Sequence, residues 1–171
     1  WRPRGILIST IREHSSAVNA VVVSQDQAFF ATGSEDGSVK IFRTKDLTDR
    51  ILIRSDATHR SESSIRDMCM IQNSRTVACA ASNVIDLVRI DGALRKKCID
   101  RIHLNKNDCV TSMFHFLTCS RSVLGFSTQK VGVCSYDIRS KDSPFSIPVS
   151  PELGWTTKGF VSNDGVSIVS S

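Results

Sequence analysis

Phe29-Phe30-Ala31-Thr32-Gly33-Ser34-Glu35-Asp36-Gly37-Ser38-Val39-Lys40-Ile41-Phe42-Arg43 spells two strands and the turn between them. A short apolar run carrying aromatic residues ends at Gly33-Ser34, and Asp36-Gly37 supplies the positive φ that a tight hairpin needs. Beyond the turn, Val39 and Ile41 alternate with Ser38 and Lys40. That is the period of a half-buried strand.

The pattern recurs along the chain. Strand-like runs open at Val18, Ile65, Val110 and Thr156, at separations of 47, 45 and 46 residues. The strands that follow the turn repeat in step as Ile41-Phe42-Arg43, Leu87-Val88-Arg89 and Ser135-Tyr136-Asp137, with Phe42, Val88 and Tyr136 spaced by 46 and 48 residues. Two independent landmarks therefore share one period. A repeat of roughly 40–45 residues built from four short strands is the sign of a WD-type β-propeller blade, and small loop insertions account for the excess.

The expected fold is all-β: a WD40 propeller fragment of about three and a half four-stranded antiparallel blades, from a ring of about seven. Residues 5–12, with Ile6, Leu7, Ile8 and Ile11, are expected to be a closing outer strand. Blade one covers residues 13–59, with its outer strand near Arg50 to Arg54; blade two covers 60–105, blade three 106–152, and 153–171 begin blade four. Pro144, Pro148 and Pro151 suit an outer edge strand and its exit. A propeller closes with roughly four to eight blades, so the chain reads as a piece of a longer protein. The start at Trp1 without a Met and the end at Ser170-Ser171 inside a strand-like run agree with that expectation.

Twenty-two Lys and Arg against 17 Asp and Glu give a net charge of +5, which raises the question of an acidic partner. The basic residues are scattered, and the compact run Arg95-Lys96-Lys97 has no aromatic residues interleaved as a nucleic-acid stacking platform would. It reads as a solvated loop, and no nucleic-acid partner is expected. Six cysteines stand at 69, 79, 98, 109, 119 and 134 without a two-residue-spaced pair, which fits neither zinc ligation nor a disulfide scaffold. Cys69, Cys79 and Cys134 lie in strand-like runs where a free thiol acts as a small hydrophobe, as in a reducing intracellular compartment. No apolar stretch reaches the length of a membrane span.

Blade one carries a polar constellation. Glu13-His14 precedes the first strand, Ser34 ends the second, Asp36 sits in the turn, and Phe42 stands where WD repeats usually have Trp. His, Ser or Thr, Asp and Trp form a hydrogen-bonded chain in such repeats, and Phe42 cannot donate, so the chain is expected to stop short. His14 therefore reads as structural. Blade two lacks both Asp-Gly and an aromatic at Val88 and reads as degenerate, while His59 and His103 read as exposed loop residues.

The sequence offers no cofactor, metal or catalytic signature: no Gly-x-Ser-x-Gly, no His-Glu-x-x-His and no carboxylate pair. Asp86 and Asp91, or Glu35 and Asp36, read as turn and loop acids. Tyr136-Asp137-Ile138-Arg139 is similar to the aromatic-Asp-x-Arg box with which substrate receptors of cullin ubiquitin ligases dock their adaptor, and supplies an alternative reading on Tyr136, Asp137 and Arg139.

Trp1-Arg2-Pro3-Arg4-Gly5, Glu13-His14, Ala17-Val18-Asn19, Phe30-Ala31-Thr32 and Asp36-Gly37-Ser38-Val39-Lys40-Ile41 resemble the C-terminal propeller of the phosphoinositide 3-kinase regulatory subunit 4 family, the scaffold subunits of class III phosphatidylinositol 3-kinase. Ser122 to Thr128 and Tyr136 to Ser140 resemble that family's third blade. The resemblance implies a non-catalytic, protein-binding propeller behind an N-terminal serine/threonine protein-kinase-like domain and a helical middle. It also implies partnership with the lipid kinase catalytic subunit and its autophagy and endosomal companions. The expected location is cytoplasmic, at endosomal or autophagic membranes, with membrane contact only through the complex. Neither His-Arg-Asp, Asp-Phe-Gly nor a Gly-rich phosphate loop occurs in this stretch.

Overall fold

The computed structural model describes residue 5 and residues 7–49, 53–143, 145–148, 159–161 and 168–170. Trp1 to Arg4, Ile6, Pro144 and Pro151 lie outside the described residues.

Three four-stranded antiparallel meanders follow one another. The first runs β1 (Val18–Val23), β2 (Phe29–Ser34), β3 (Ser38–Arg43) and β4 (Ala57–Arg60), paired in that order. The second is β5 (Ile65–Met70), β6 (Thr76–Ala81), β7 (Val84–Ile90) and β8 (Lys96–His103). The third is β9 (Val110–Leu117), β10 (Ser122–Thr128), β11 (Gly132–Asp137) and β12 (Ser146–Pro148). A two-stranded sheet of β13 (Gly159–Val161) and β14 (Ile168–Ser170) comes last.

The hairpin turns obey local chemistry. Gly37 takes φ +75°, which favours glycine, and the Ser61 and Ser63 carbonyls come close to the place where a Cβ would stand. The second blade has no Asp-Gly, and Ser82 adopts φ 54° in its place ahead of Asn83. A polar residue can occupy this left-handed region at modest cost.

Two expectations shift. The strand that pairs with β3 is Ala57–Arg60, after a helical turn, α1 (Asp46–Asp49), that delays the return of the chain; of the strand expected at 50–54, residues 50–52 lie outside the described residues and Ile53 and Arg54 are not in a strand. Residues 7–12 are not in a strand: no described strand pairs with them, and Leu7 and Ile8 are exposed. An outer strand exists only through a neighbour's hydrogen bonds.

The core is layered between sheets. Phe29, Ala31, Val39 and Ile41 of the first blade meet Ile65, Met68, Val77, Cys79 and Val88 of the second. Ala78, Ile85 and Leu87 face Val110, Met113 and Leu124 of the third. Phe114, Phe116, Val123 and Val133 form a third layer beyond it. Strands β6 and β10 are buried along their whole length because each is covered on both faces.

Polar rungs join the innermost strands. Asn19 Nδ2 donates to the Ile65 carbonyl at 2.9 Å, the Met113 N–H donates to Asp67 Oδ2 at 2.6 Å, and Ser112 Oγ both accepts from the Gly159 N–H at 3.0 Å and donates to its carbonyl at 3.2 Å. The innermost strands of the three four-stranded blades each skip one residue in their register with the next strand, at Asn19, Arg66 and Thr111. A bulge at the same place in these three blades bends the strand and raises its twist.

Candidate functional site

The described residues hold two buried polar frames at blade margins. In the first blade the loop before β1 brings His14 to the turn between β2 and β3. His14 Nδ1 lies 3.3 Å from Asp36 Oδ2 and 3.0 Å from Ser38 Oγ, and Nε2 lies 2.7 Å from Thr32 Oγ1. An ionised carboxylate can only accept, so Nδ1 carries a proton, and in the neutral ring Nε2 accepts from the Thr32 hydroxyl. Asp36 also receives the Ser15 and Ser38 N–H groups and the Ser38 hydroxyl. Burial acts to raise its pKa, but the Ser38, Ser15 and His14 hydrogen bonds outweigh it and hold the carboxyl well below the usual range.

Of the four residues expected in this frame, His14 and Asp36 come together, Ser34 joins through the Asp36 N–H without reaching His14, and Phe42 stays outside. Ser34 is buried and its hydroxyl accepts the Asp36 N–H at 3.2 Å, so the strand hydroxyl on His14 is Thr32. Thr32 and Ser34 share one face of β2, and it is position along the strand that puts Thr32 against His14 and Ser34 at the turn. Phe42 makes no polar contact and stacks on Phe30 with ring centroids 5.1 Å apart.

The second frame centres on Asp86, which is fully buried on β7. His59 Nε2 lies 2.9 Å from Asp86 Oδ2, Ser61 Oγ donates to the same oxygen at 2.7 Å, and Arg101 Nε donates to Oδ1 at 2.6 Å. Arg101 continues outward to Glu62 at 2.7 Å. Burial opposes ionisation of Asp86, yet the hydrogen bonds from His59, Arg101 and Ser61 win and depress its pKa strongly. His59, expected to be exposed, is buried, and Asp86, expected to be a loop acid, is a strand residue. Four residues from separate loops and strands left no motif; the one available signal was an Asp at an inward position of an apolar strand.

The aromatic-Asp-x-Arg stretch is divided. Tyr136 OH donates to Asp100 Oδ2 on the outer strand of the preceding blade at 3.0 Å. Burial and this bond push the Tyr136 pKa up to about 12. Asp137 is buried and accepts the Arg139 N–H at 2.9 Å, while Arg139 itself is exposed. His103, Asp91 and Glu35 contribute to neither frame, and Asp91 pairs with Arg95 at 2.8 Å. The six cysteines are free, and burial pushes the Cys69 thiol up to about 12. Among the described residues no group of three or more His, Cys, Asp or Glu could hold a metal ion, and no helix is long and apolar enough to cross a membrane.

Meanders of four strands, packed through shared apolar layers and joined at their inner strands by polar rungs, define a partial WD-repeat β-propeller. The WD domain, G-beta repeat family matches residues 5–43. The chain is homologous to the VPS15 proteins. It is 33% identical to the serine/threonine-protein kinase VPS15 of Arabidopsis thaliana, covering 92% of this chain and 11% of that protein. A vps15 protein of Dictyostelium discoideum is 32% identical, over 90% of this chain and 8% of its own length, and VPS15 of Saccharomyces cerevisiae is 26% identical over 88% and 11%. The chain thus spans about a tenth of these relatives.

Proposed function

We propose that this segment is a non-catalytic interaction scaffold within a class III phosphatidylinositol 3-kinase complex acting in autophagy and endosomal trafficking. The observation that carries the proposal is the likeness to VPS15 proteins along 92% of the chain. The physical case is rigidity: apolar layers and polar rungs fix the blades, so the loops at both ends of each sheet keep set separations. Rigid scaffolds of this kind carry function in their loops. Both buried frames are saturated by internal partners, which supports a structural rather than catalytic role for His14, Asp36 and Asp86. Tyr136 and Asp137 are likewise engaged internally, which weighs against the ubiquitin-ligase receptor reading.

In this proposal the protein-kinase-like chemistry of the parent lies N-terminal to the propeller, and membrane association is indirect, through the lipid kinase partners. The test is purification of the full-length protein with and without residues 1–171, with the bound proteins identified by mass spectrometry. A lower yield of the lipid kinase catalytic subunit after deletion is expected. Undiminished recovery refutes the scaffold assignment, and recovery of a cullin adaptor that an Arg139→Ala change abolishes replaces it with the receptor reading.

A further inference from the structure

Four buried side-chain polar atoms among the described residues have no hydrogen-bond partner: Arg43 Nε, Thr44 Oγ1, Arg75 Nε and Ser127 Oγ. The first three belong to residues lining one cleft of about 530 Å³ between the first and second blades. Lys45 adds a third cation to the wall, and Ala28 and Leu94 supply apolar surface. The lining comes from the loops between β1 and β2, β3 and β4, β5 and β6, and β7 and β8. All lie at the end of their sheets opposite the Asp36-Gly37 turn.

Each arginine is held by a single carboxylate outside that lining. Arg43 Nη2 is 3.4 Å from Asp56 and Arg75 Nη2 is 3.5 Å from Asp26. Arg75 also lies over the Phe29 ring, 5.3 Å from its centroid, which fixes the guanidinium plane. Asp91 in the neighbouring loop is neutralised by Arg95, and Asp46 beside Lys45 is buried with a partner of its own. Three cations against two adjoining carboxylates leave about one positive charge uncompensated at a wall rich in unused donors. A carboxylate in the cleft meets guanidinium and ammonium donors there, and hydrogen bonds between ionised partners are the strong ones.

We infer that this inter-blade cleft binds the carboxylate of an acidic side chain, Asp or Glu, presented by a partner protein's peptide segment, with Arg43, Thr44, Lys45 and Arg75 as its donors. A monoanion matches the single uncompensated charge, which a dianionic phosphate would overfill. The Ala28 and Leu94 surface suits an apolar residue beside the acid. The inference deepens the scaffold reading and rests on it for the source of the ligand. Arg43 and Arg75 come from different blades 32 positions apart, so no basic motif marks them in the sequence.

The test is fluorescence anisotropy of the full-length protein with fluorescein-labelled hexaglutamate, and with hexaglutamine as the uncharged control. Hexaglutamate is expected to bind and hexaglutamine not. Arg43→Gln, Arg75→Gln and Lys45→Gln are each expected to weaken binding about tenfold, whereas Arg139→Gln, an exposed cation elsewhere, changes nothing. Lys45 is exposed, so its variant keeps the fold even where an arginine variant does not. Equal binding of the two peptides, or equal weakening by Arg139→Gln, overturns the inference. So does displacement by inorganic phosphate but not by acetate at the same concentration, which would make the cleft a phosphate site. Because the readout needs no lipid kinase partner, failure here leaves the co-purification result standing, and the reverse also holds.

Discussion

Asp67 on the innermost strand of the second blade accepts the backbone N–H of Met113 on the innermost strand of the third, at 2.6 Å. An acceptor on one sheet thus satisfies a main-chain donor on another, 46 residues later. Asp67→Ala strands the Met113 N–H in a closed layer, and a loss of about 1–3 kcal/mol of stability follows. Asp67→Asn retains an acceptor and loses less. Urea denaturation midpoints of the three proteins settle it; equal midpoints would show that the rung contributes nothing.

Asp86 predicts acid sensitivity of a particular sign. Its folded pKa is depressed, so its contribution is complete above the ordinary Asp value of about 3.9 and is lost as pH falls below that value. Asp86→Asn swaps one acceptor for a donor that faces the His59, Ser61 and Arg101 donors. Removing one partner of a buried pair costs about 3–5 kcal/mol, and this site lies near the low end because Arg101 is 34% exposed and can turn to water. The stability gap between native and variant proteins should be constant from pH 7 to 5 and narrow below pH 4. A gap that widens on acidification contradicts the assignment.

His115 acts in the same direction but at milder pH. It is buried, its Nδ1 accepts the Gln72 N–H at 3.2 Å and its Nε2 donates to Ser122 Oγ at 2.9 Å, an arrangement that requires the neutral ring. Burial lowers its pKa to about 4. The unfolded chain takes up a proton near pH 6.5 and the folded chain does not, so stability falls as pH drops from about 6.5 to about 4. Replacement by Gln, His115→Gln, should flatten that slope. A native and a variant protein with parallel pH profiles would refute it.

Gly125 is covered by the ring of its cross-strand partner Phe114: a Cβ there would meet Phe114 Cε2 at 2.2 Å. Gly125→Ala therefore forces the ring aside in a buried layer, costing about 1–3 kcal/mol or more. Adding Phe114→Leu to Gly125→Ala should restore part of the loss, a coupling measurable as a double-mutant cycle in thermal unfolding. Additive losses would mean that the contact is not the cause.

Much of the architecture is legible in the sequence. The strands Phe29–Ser34, Ser38–Arg43 and Val84–Ile90 stand where alternation and turn residues put them. These signals are local, set by period and by the φ that Asp-Gly allows. The outer strand of the first blade escaped because an outer strand has one partner and little burial, so its composition constrains it weakly; α1 then moved it to Ala57–Arg60. The frames were legible in proportion to their locality. His14 and Asp36 sit at ends of one hairpin unit, whereas His59, Ser61, Asp86 and Arg101 converge only once two sheets have packed. Choosing Thr32 over Ser34 needed the position of the His14 loop along the strand, because both hydroxyls lie on the same face of β2.

Neighbouring blades are fastened at two radii. Near the inner strands the rungs are Asn19 to Ile65 and Asp67 to Met113; near the outer strands they are His59 to Asp86 and Tyr136 to Asp100. One fastening alone would act as a pivot, about which sheets could fan open or slide. Two fastenings at different distances from the inner edge lock both the fanning and the sliding mode, so a load applied to a loop of one blade is carried into the next rather than absorbed between them.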